Sequence, residues 1–161
     1  MAVNAYLVID GIPGPSTSKT NAIDVLSFSF GASQTAVIGS GSSGGEARAG
    51  RADVSNLTIM KVLDKTSPLL FDHCVAGNFL TKVDLIYDKA MGSSSNQQDY
   101  FALHLTDALI TSVQLSGSNE NPMESVSFAF SKIQVAYNPE EGGALKGFIE
   151  KGFDVLKLKP F

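Results

Sequence analysis

Cysteine is almost absent. Cys74 stands alone in 161 residues, which excludes an intramolecular disulfide and any zinc cluster built on cysteine. Histidine is nearly as scarce: His73 and His104 are the only two, and imidazoles that far apart in sequence make a poor metal signal. Charge is sparse as well. Charged residues make up 17% of the chain, low for a soluble monomer; a weakly charged surface is easily covered by partners, so self-association is expected. No Lys/Arg cluster occurs, and the net charge is −4. That argues against nucleic acid as the main ligand and against an anionic membrane surface. No stretch is apolar for long enough to span a bilayer. The opening MAVNAYLVIDG has no basic residues ahead of its apolar run, and Asp10 interrupts that run, so it does not read as a signal peptide. The expectation is synthesis in the cytoplasm, with a dedicated machine needed for any export.

What the chain does have is alternation. With 43% hydrophobic residues it can bury a sizeable core, and its length suggests one domain. Period-two patterns, the mark of half-buried strands, run through most of it. In Ile23–Gly31, Leu26, Phe28 and Phe30 share one face, and Ser27 and Ser29 the other. Asp99–Thr106 groups Phe101, Leu103 and Leu105; Thr111–Leu115 groups Thr111, Val113 and Leu115; Glu124–Phe130 groups Val126, Phe128 and Phe130. Further strands are expected over Ala5–Asp10, Val54–Lys61, Lys82–Tyr87 and Gly152–Leu158. After Phe130 the apolar parity changes to Ile133, Val135 and Tyr137, which calls for a bulge or sharp bend near Ser131–Lys132. One helix is expected over about residues 67–76: Ser67 suits the N-cap, Pro68 the first helical position and Gly77 the stop, with Leu70, Phe71, Cys74 and Val75 as the apolar stripe. The segment over about residues 39–51 is Gly/Ser-rich and reads as a long flexible loop; Met91–Gln98 reads as a hairpin tip or longer connection. The fold class is therefore mainly β, a barrel or sandwich with one short helix.

Motifs for chemistry are present only as letters. In IGSGSSGG (Ile38–Gly45), Gly39, Gly41 and Gly44 spell the dinucleotide fingerprint, and Gly41, Ser43 and Gly45 spell a nucleophile elbow. The fingerprint needs a helix whose N–H groups hold the pyrophosphate, but Gly50 breaks the next stretch and the chain passes into a strand. The elbow needs a strand, a tight turn and a helix; Ser43, set among glycines and serines with His104 as the distant base, has nothing rigid to place it. Cys74 and His73 are neighbours on a helix and so do not face each other. Asn56-Leu57-Thr58 fits a glycosylation sequon inside an expected strand of a chain without a signal peptide. Asp84/Asp88 and Glu140/Glu141 read as solvated strand ends and turns. No catalytic, cofactor-binding or metal-ligating set remains, and no enzyme activity is expected. One feature is unusual: the second face of several strands is small and uncharged, with Ser27, Ser29, Ser125, Ser127, Ala129 and Ser131. Such a row suits a face close to another surface or lining a cavity, and an ordinary solvated sheet is the alternative.

Several stretches together resemble the Hcp proteins, the haemolysin-coregulated tube subunits of bacterial type VI secretion systems. They are the opening MAVNAYLVIDGIPG with PSTSKTN after it, IDVLSFSFGASQ with its aromatic–Ser–aromatic–Gly pattern, LTIMKVLDKTSPLLFDHCVAGNF with its strand and helix start, and ESVSFAFSKIQVAY as the late strands. The likeness runs almost end to end. Phe28 and Phe30 stand where many relatives carry tryptophan, of which this chain has none, and the turn before Ile23 is shorter than in some relatives.

The resemblance implies a two-sheet, barrel-like fold similar to phage tail-tube proteins, as a single tube domain over residues 1–161 with no fused C-terminal effector domain. It implies homohexameric rings that stack into a tube, driven by a contractile sheath from the bacterial cytoplasm to the extracellular space or a target cell. Implied partners are a VgrG-type spike, sheath and baseplate proteins, and small effector proteins carried in the lumen. Ser27 and Ser29 would face that lumen. Gly39, Gly41, Gly44, Gly45, Glu46, Arg48 and Arg51 would belong to a loop that reaches the neighbouring ring. The competing class is a β-sandwich binding module or adhesin.

Overall fold

The computed structural model describes residues 3–38, 47–90 and 97–161. Strand β1 (Val3–Ile9) is followed by β2 (Ile23–Val25), β3 (Ser27–Ser29), β4 (Ala32–Ile38), β5 (Ala47–Val54) and β6 (Leu57–Val62). Helix α1 (Ser67–Ala76) then leads into β7 (Phe79–Ala90), β8 (Gln97–Ser116) and β9 (Met123–Tyr137). The chain finishes with β10 (Glu140–Glu141), β11 (Ala144–Leu145), β12 (Ile149–Asp154) and β13 (Lys159–Pro160).

The antiparallel pairings close on themselves. Going round, β9 pairs β8, β8 pairs β7, β7 pairs β1 and β1 pairs β2; β3 pairs β6, and β6 returns to β9. Only Leu26 separates β2 from β3, and its N–H donates to the Met60 carbonyl at 2.8 Å, so one short crossing strand joins the β1 side to the β6 side and closes the barrel. This crossing overturns one expectation. Ile23 and Val25 point inward against β1, and Phe28 packs against the core from β3, so the inward parity slips at Leu26, which is 60% exposed rather than sharing a face with Phe28 and Phe30. Inside, Leu7, Ile59, Val83, Leu85, Leu103, Leu105, Val126 and Phe128 are buried, each side chain of this size contributing about 1.5–3 kcal/mol.

A bend crosses three strands at one level. Inward residues step from Leu80 to Val83 on β7, from Leu105 to Ala108 on β8, and from Phe128 to Ile133 on β9. The register of β8 with β9 is unbroken there, Ala108 opposite Phe130 and Thr106 opposite Lys132. The bend is made by Asp107, whose φ is +49°, a left-handed conformation that Asp tolerates better than most residues. The extra residue in the β8–β9 ladder lies elsewhere, at Thr111, between Ile110 and Ser112. Beyond the bend Ile133 is buried as expected, but Val135 and Tyr137 are exposed and Ala136 is buried. There β9 pairs with β12 in place of β6, so this end has left the closed circuit.

Helix α1 spans Ser67–Ala76, with Thr66 rather than Ser67 at the N-cap, a proline in its first turn, and Gly77 left-handed at its end (φ +68°). Leu70 is buried and Cys74 half-buried, but Phe71 and Val75 are exposed; the inward stripe is narrower than the four residues expected, because i and i+4 stack on one face while i+1 turns away. The last strand also ends early. The Asp154 carboxylate accepts the Lys157 N–H at 3.0 Å and Leu158 is left-handed (φ +54°), an Asx-type turn that sends β13 back along β12. Phe161 and Gly152 then exchange two backbone hydrogen bonds of 2.8 and 2.9 Å. Gly152 is required there, since a Cβ would meet the Phe161 ring at 2.3 Å.

Candidate functional site

The outward face of β3, β6, β9 and β8 carries two rows of side chains set by register. Ser29 lies opposite Thr58, Thr58 opposite Ser127, and Ser127 opposite Ser112. Ser27 lies opposite Met60, Met60 opposite Ser125, and Ser125 opposite Gln114. Neither row contains an ionisable group. The hydroxyls of Thr58 and Ser127 are 2.9 Å apart, and Gln114 Nε2 donates to Ser112 Oγ at 3.3 Å. Strand alternation produces this face: Leu57, Ile59, Val126 and Phe128 take the core, so their neighbours must point out. Ser27 and Ser29 are both exposed and belong to this surface, as the alternation predicted. Thr58, Met60 and Ser112 extend it, and were legible only once the register was known.

The inward face of the same strands hides a charged cluster that composition alone did not flag. Lys61 and Glu124, opposite each other in the β6–β9 ladder, are both 0% exposed. Lys61 Nζ lies 2.8 Å from Glu124 Oε1, 3.3 Å from Asp64 Oδ1, 3.3 Å from Ser67 Oγ and 3.2 Å from the Val62 carbonyl. Among the described residues, Glu124 Oε2 has no hydrogen-bond partner. The signal for this pair was available: Lys61 is in phase with Leu57 and Ile59, and Glu124 with Val126 and Phe128.

A second carboxylate is buried near the β7–β8 turn. Asp88 faces Asp99 across a bulge, accepts from Asn4 Nδ2 at 3.3 Å, and sits near Lys19, which pairs with Asp99 at 3.0 Å. Burial dominates and, with Asp99, raises its pKa above the ordinary aspartate value; Asn4 and Lys19 oppose this. The folded state therefore holds this proton more tightly than the unfolded chain does. Stability falls as pH rises from the unfolded to the folded pKa, and the penalty is complete above the latter. Asp88→Asn is expected to raise the urea midpoint at neutral pH, with the gain shrinking to nothing towards about pH 3. A constant offset at every pH would contradict this.

The remaining chemical candidates stay apart. His104 Nδ1 is 2.7 Å from Asp84 Oδ1, its direct cross-strand neighbour, while His73 Nδ1 bonds to the Leu69 carbonyl one helical turn back. Among the described residues, no group of three His, Cys, Asp or Glu side chains could hold a metal. No helix among the described residues is long and apolar enough to cross a membrane. Asn56 is exposed, its Nδ2 donating to Thr111 Oγ1 at 3.2 Å.

The last part of the expected stacking loop is a strand of a two-stranded ribbon. Residues 47–51 belong to β5, which pairs with β4, so this part of the expected 39–51 loop is strand. Alternation is hidden there by the run of Ala, Gly and Arg. Arg48 lies opposite Val37, and Arg51 is exposed. Gly39, Gly41, Gly44, Gly45 and Glu46 lie outside the described residues. Gly50 is needed where the ribbon bulges at Thr35: a Cβ would fall 2.0 Å from Thr35 Oγ1, the atom that accepts the Arg51 N–H.

Known proteins share this arrangement. Residues 6–137 match a family described as "Type VI secretion system effector, Hcp". The chain is 34% identical to Protein hcp1 of Pseudomonas aeruginosa, over 96% of each chain. It superimposes on Hcp1 from Salmonella typhimurium with a TM-score of 0.80 at 28% identity, over 100% of both chains. A further structure, described as a type six secretion system protein, gives a TM-score of 0.87 at 25% identity over 99% of this chain and 100% of the other. The family match covers most of the sequence and the likeness extends through the whole fold: the chain belongs to the Hcp family of type VI secretion proteins.

Proposed function

We propose that six copies of this chain form a ring, that rings stack into a tube, and that the uncharged face holding Ser27 and Ser29 lines its bore. The observation carrying this reading is the pair of rows, Ser29–Thr58–Ser127–Ser112 and Ser27–Met60–Ser125–Gln114, uncharged across four strands. A face meant only for bulk water gains solubility from charge; a bore through which other proteins pass gains from hydroxyls that neither repel nor trap them. Leu69, Phe71 and Val75, exposed on α1, suit the heterologous contact of a closed ring, where one edge of a subunit meets a different edge of its neighbour. The work is mechanical rather than catalytic. A contractile sheath drives the tube, tipped by a VgrG-type spike, from the cytoplasm to the extracellular space or a target cell, with small effector proteins held in the bore.

Native mass with negative-stain imaging tests the assembly. Annuli near 100 kDa, six copies of a 17.0 kDa chain, are the expected result; a monomer at every concentration favours a β-sandwich binding module instead. Ser29→Gln tests the bore. It is expected to leave ring mass and thermal midpoint unchanged while lowering the amount of effector that co-purifies. Loss of the ring itself would place Ser29 in a subunit contact.

A further inference from the structure

The outward face that carries the serine rows does not end in serine. Two residues along β9 from Ser127 comes Ala129, and the row it belongs to reads Phe79, Leu109, Ala129 across β7, β8 and β9. With Phe130 and Leu156, these side chains enclose a pocket of about 490 Å3 at the level of the three-strand bend. Phe79 and Leu156 are 71% and 81% exposed, which leaves their apolar surface open to a ligand.

One charge stands at this pocket, the carboxylate of Asp107. Its left-handed backbone (φ +49°) fixes it at the bend. Ser131 is its only hydrogen-bonding neighbour among the described residues, with Oγ 3.5 Å from Oδ2. That hydroxyl has a single proton and donates it to the Thr106 carbonyl at the much better distance of 2.9 Å. Among the described residues, no lysine, arginine or histidine pairs with Asp107. The pocket thus combines apolar walls with one exposed carboxylate whose protein contact among the described residues is the long one to Ser131.

From this geometry we infer a binding site for an aliphatic cation: the lysine or arginine side chain of a cargo protein, its methylene stem against Phe79, Leu109 and Leu156 and its charged head at Asp107. Long basic side chains bury their stems while keeping the head hydrated, which matches a half-open pocket with the acid at the bend. The cargo assignment rests on the proposed bore, because the pocket opens on the same sheet face as Ser127. Cargo would then slide over the serine rows and be held at this one step.

The test is a titration of the assembled protein, carrying labelled Leu methyl groups, with n-butylguanidinium, alongside 1-butanol as the uncharged control. Saturable shifts confined to Leu109 and Leu156 are expected, with affinity about two- to fivefold weaker in Asp107→Asn, the range of an exposed ion pair. Asn tolerates the left-handed backbone, so this variant keeps the bend. In the wild type, rising salt should weaken the guanidinium and leave butanol unaffected. Equal binding by Asp107→Asn, or no salt dependence, would overturn the role of the carboxylate. Shifts seen only in dissociated subunits would show that a neighbouring copy covers the pocket, overturning the cargo assignment. Native mass on the same sample separates the two failures: a monomer that still binds the probe loses the bore and keeps the site.

Discussion

Replacing Glu124 with leucine is expected to destabilise the fold by about 3 kcal/mol, the lower end of what breaking a buried ion pair costs. The side chain lost is the 2.8 Å partner of Lys61, and both residues are 0% exposed. Lys61 would be left in the interior without its nearest counter-charge. Asp64 at 3.3 Å, the Ser67 hydroxyl and the Val62 carbonyl soften the loss, which places the effect at the lower end. The double change Lys61→Met with Glu124→Leu should recover most of it, ending within about 1 kcal/mol of the parent, because two apolar residues of similar volume avoid the desolvation that the ion pair suffers. The parent is not an ideal pair, since Glu124 Oε2 has no donor among the described residues. Urea unfolding at one fixed protomer concentration, comparing both single changes with the double, reads this directly. Three variants of equal stability would refute it.

Deleting residues 41–45 should leave rings intact and reduce tubes to single rings. The five residues are Gly41, Ser42, Ser43, Gly44 and Gly45, and fixing each in one conformation costs about 1–2 kcal/mol, with glycine at the high end. They connect β4 to β5, which among the described residues pair with each other alone. Ala32–Ala36 on β4 are all exposed. A two-stranded ribbon is marginal in water, and in the proposed tube the next ring would cover it. A contact that is weak per ring becomes strong when repeated along a tube. Sedimentation distinguishes the outcomes: ring mass unchanged with tube-sized species gone is expected, and tubes of parental length from the deletion would remove the ribbon from ring stacking.

Local chemistry made much of this protein legible. Pro68 and Gly77 bracket a helix because proline suits its first turn and glycine its left-handed end, and α1 matches them within a residue. Alternation placed the strands and turned Ser27 and Ser29 outward, because a pleated strand cannot send consecutive side chains the same way. The order of short stretches from MAVNAYLVIDGIPG to ESVSFAFSKIQVAY pointed to the family.

Other features depended on which strand lies beside which. Alternation gives a strand two faces and does not say where the parity slips. Leu26 turns out because the chain changes partners there, and Val135 because β9 has exchanged β6 for β12. Gly152–Leu158 reads as one strand until the Asp154 carboxylate captures the Lys157 N–H and turns the chain back. The Lys61–Glu124 pair and the four-strand rows exist only through register: Lys61 and Glu124 are 63 residues apart, and Thr58 and Ser127 69. Hydrophobic period and turn chemistry act over a few residues and can be read from neighbours in the chain. Register, bends and buried charge pairs are set by packing between distant segments, and only the folded molecule decides them.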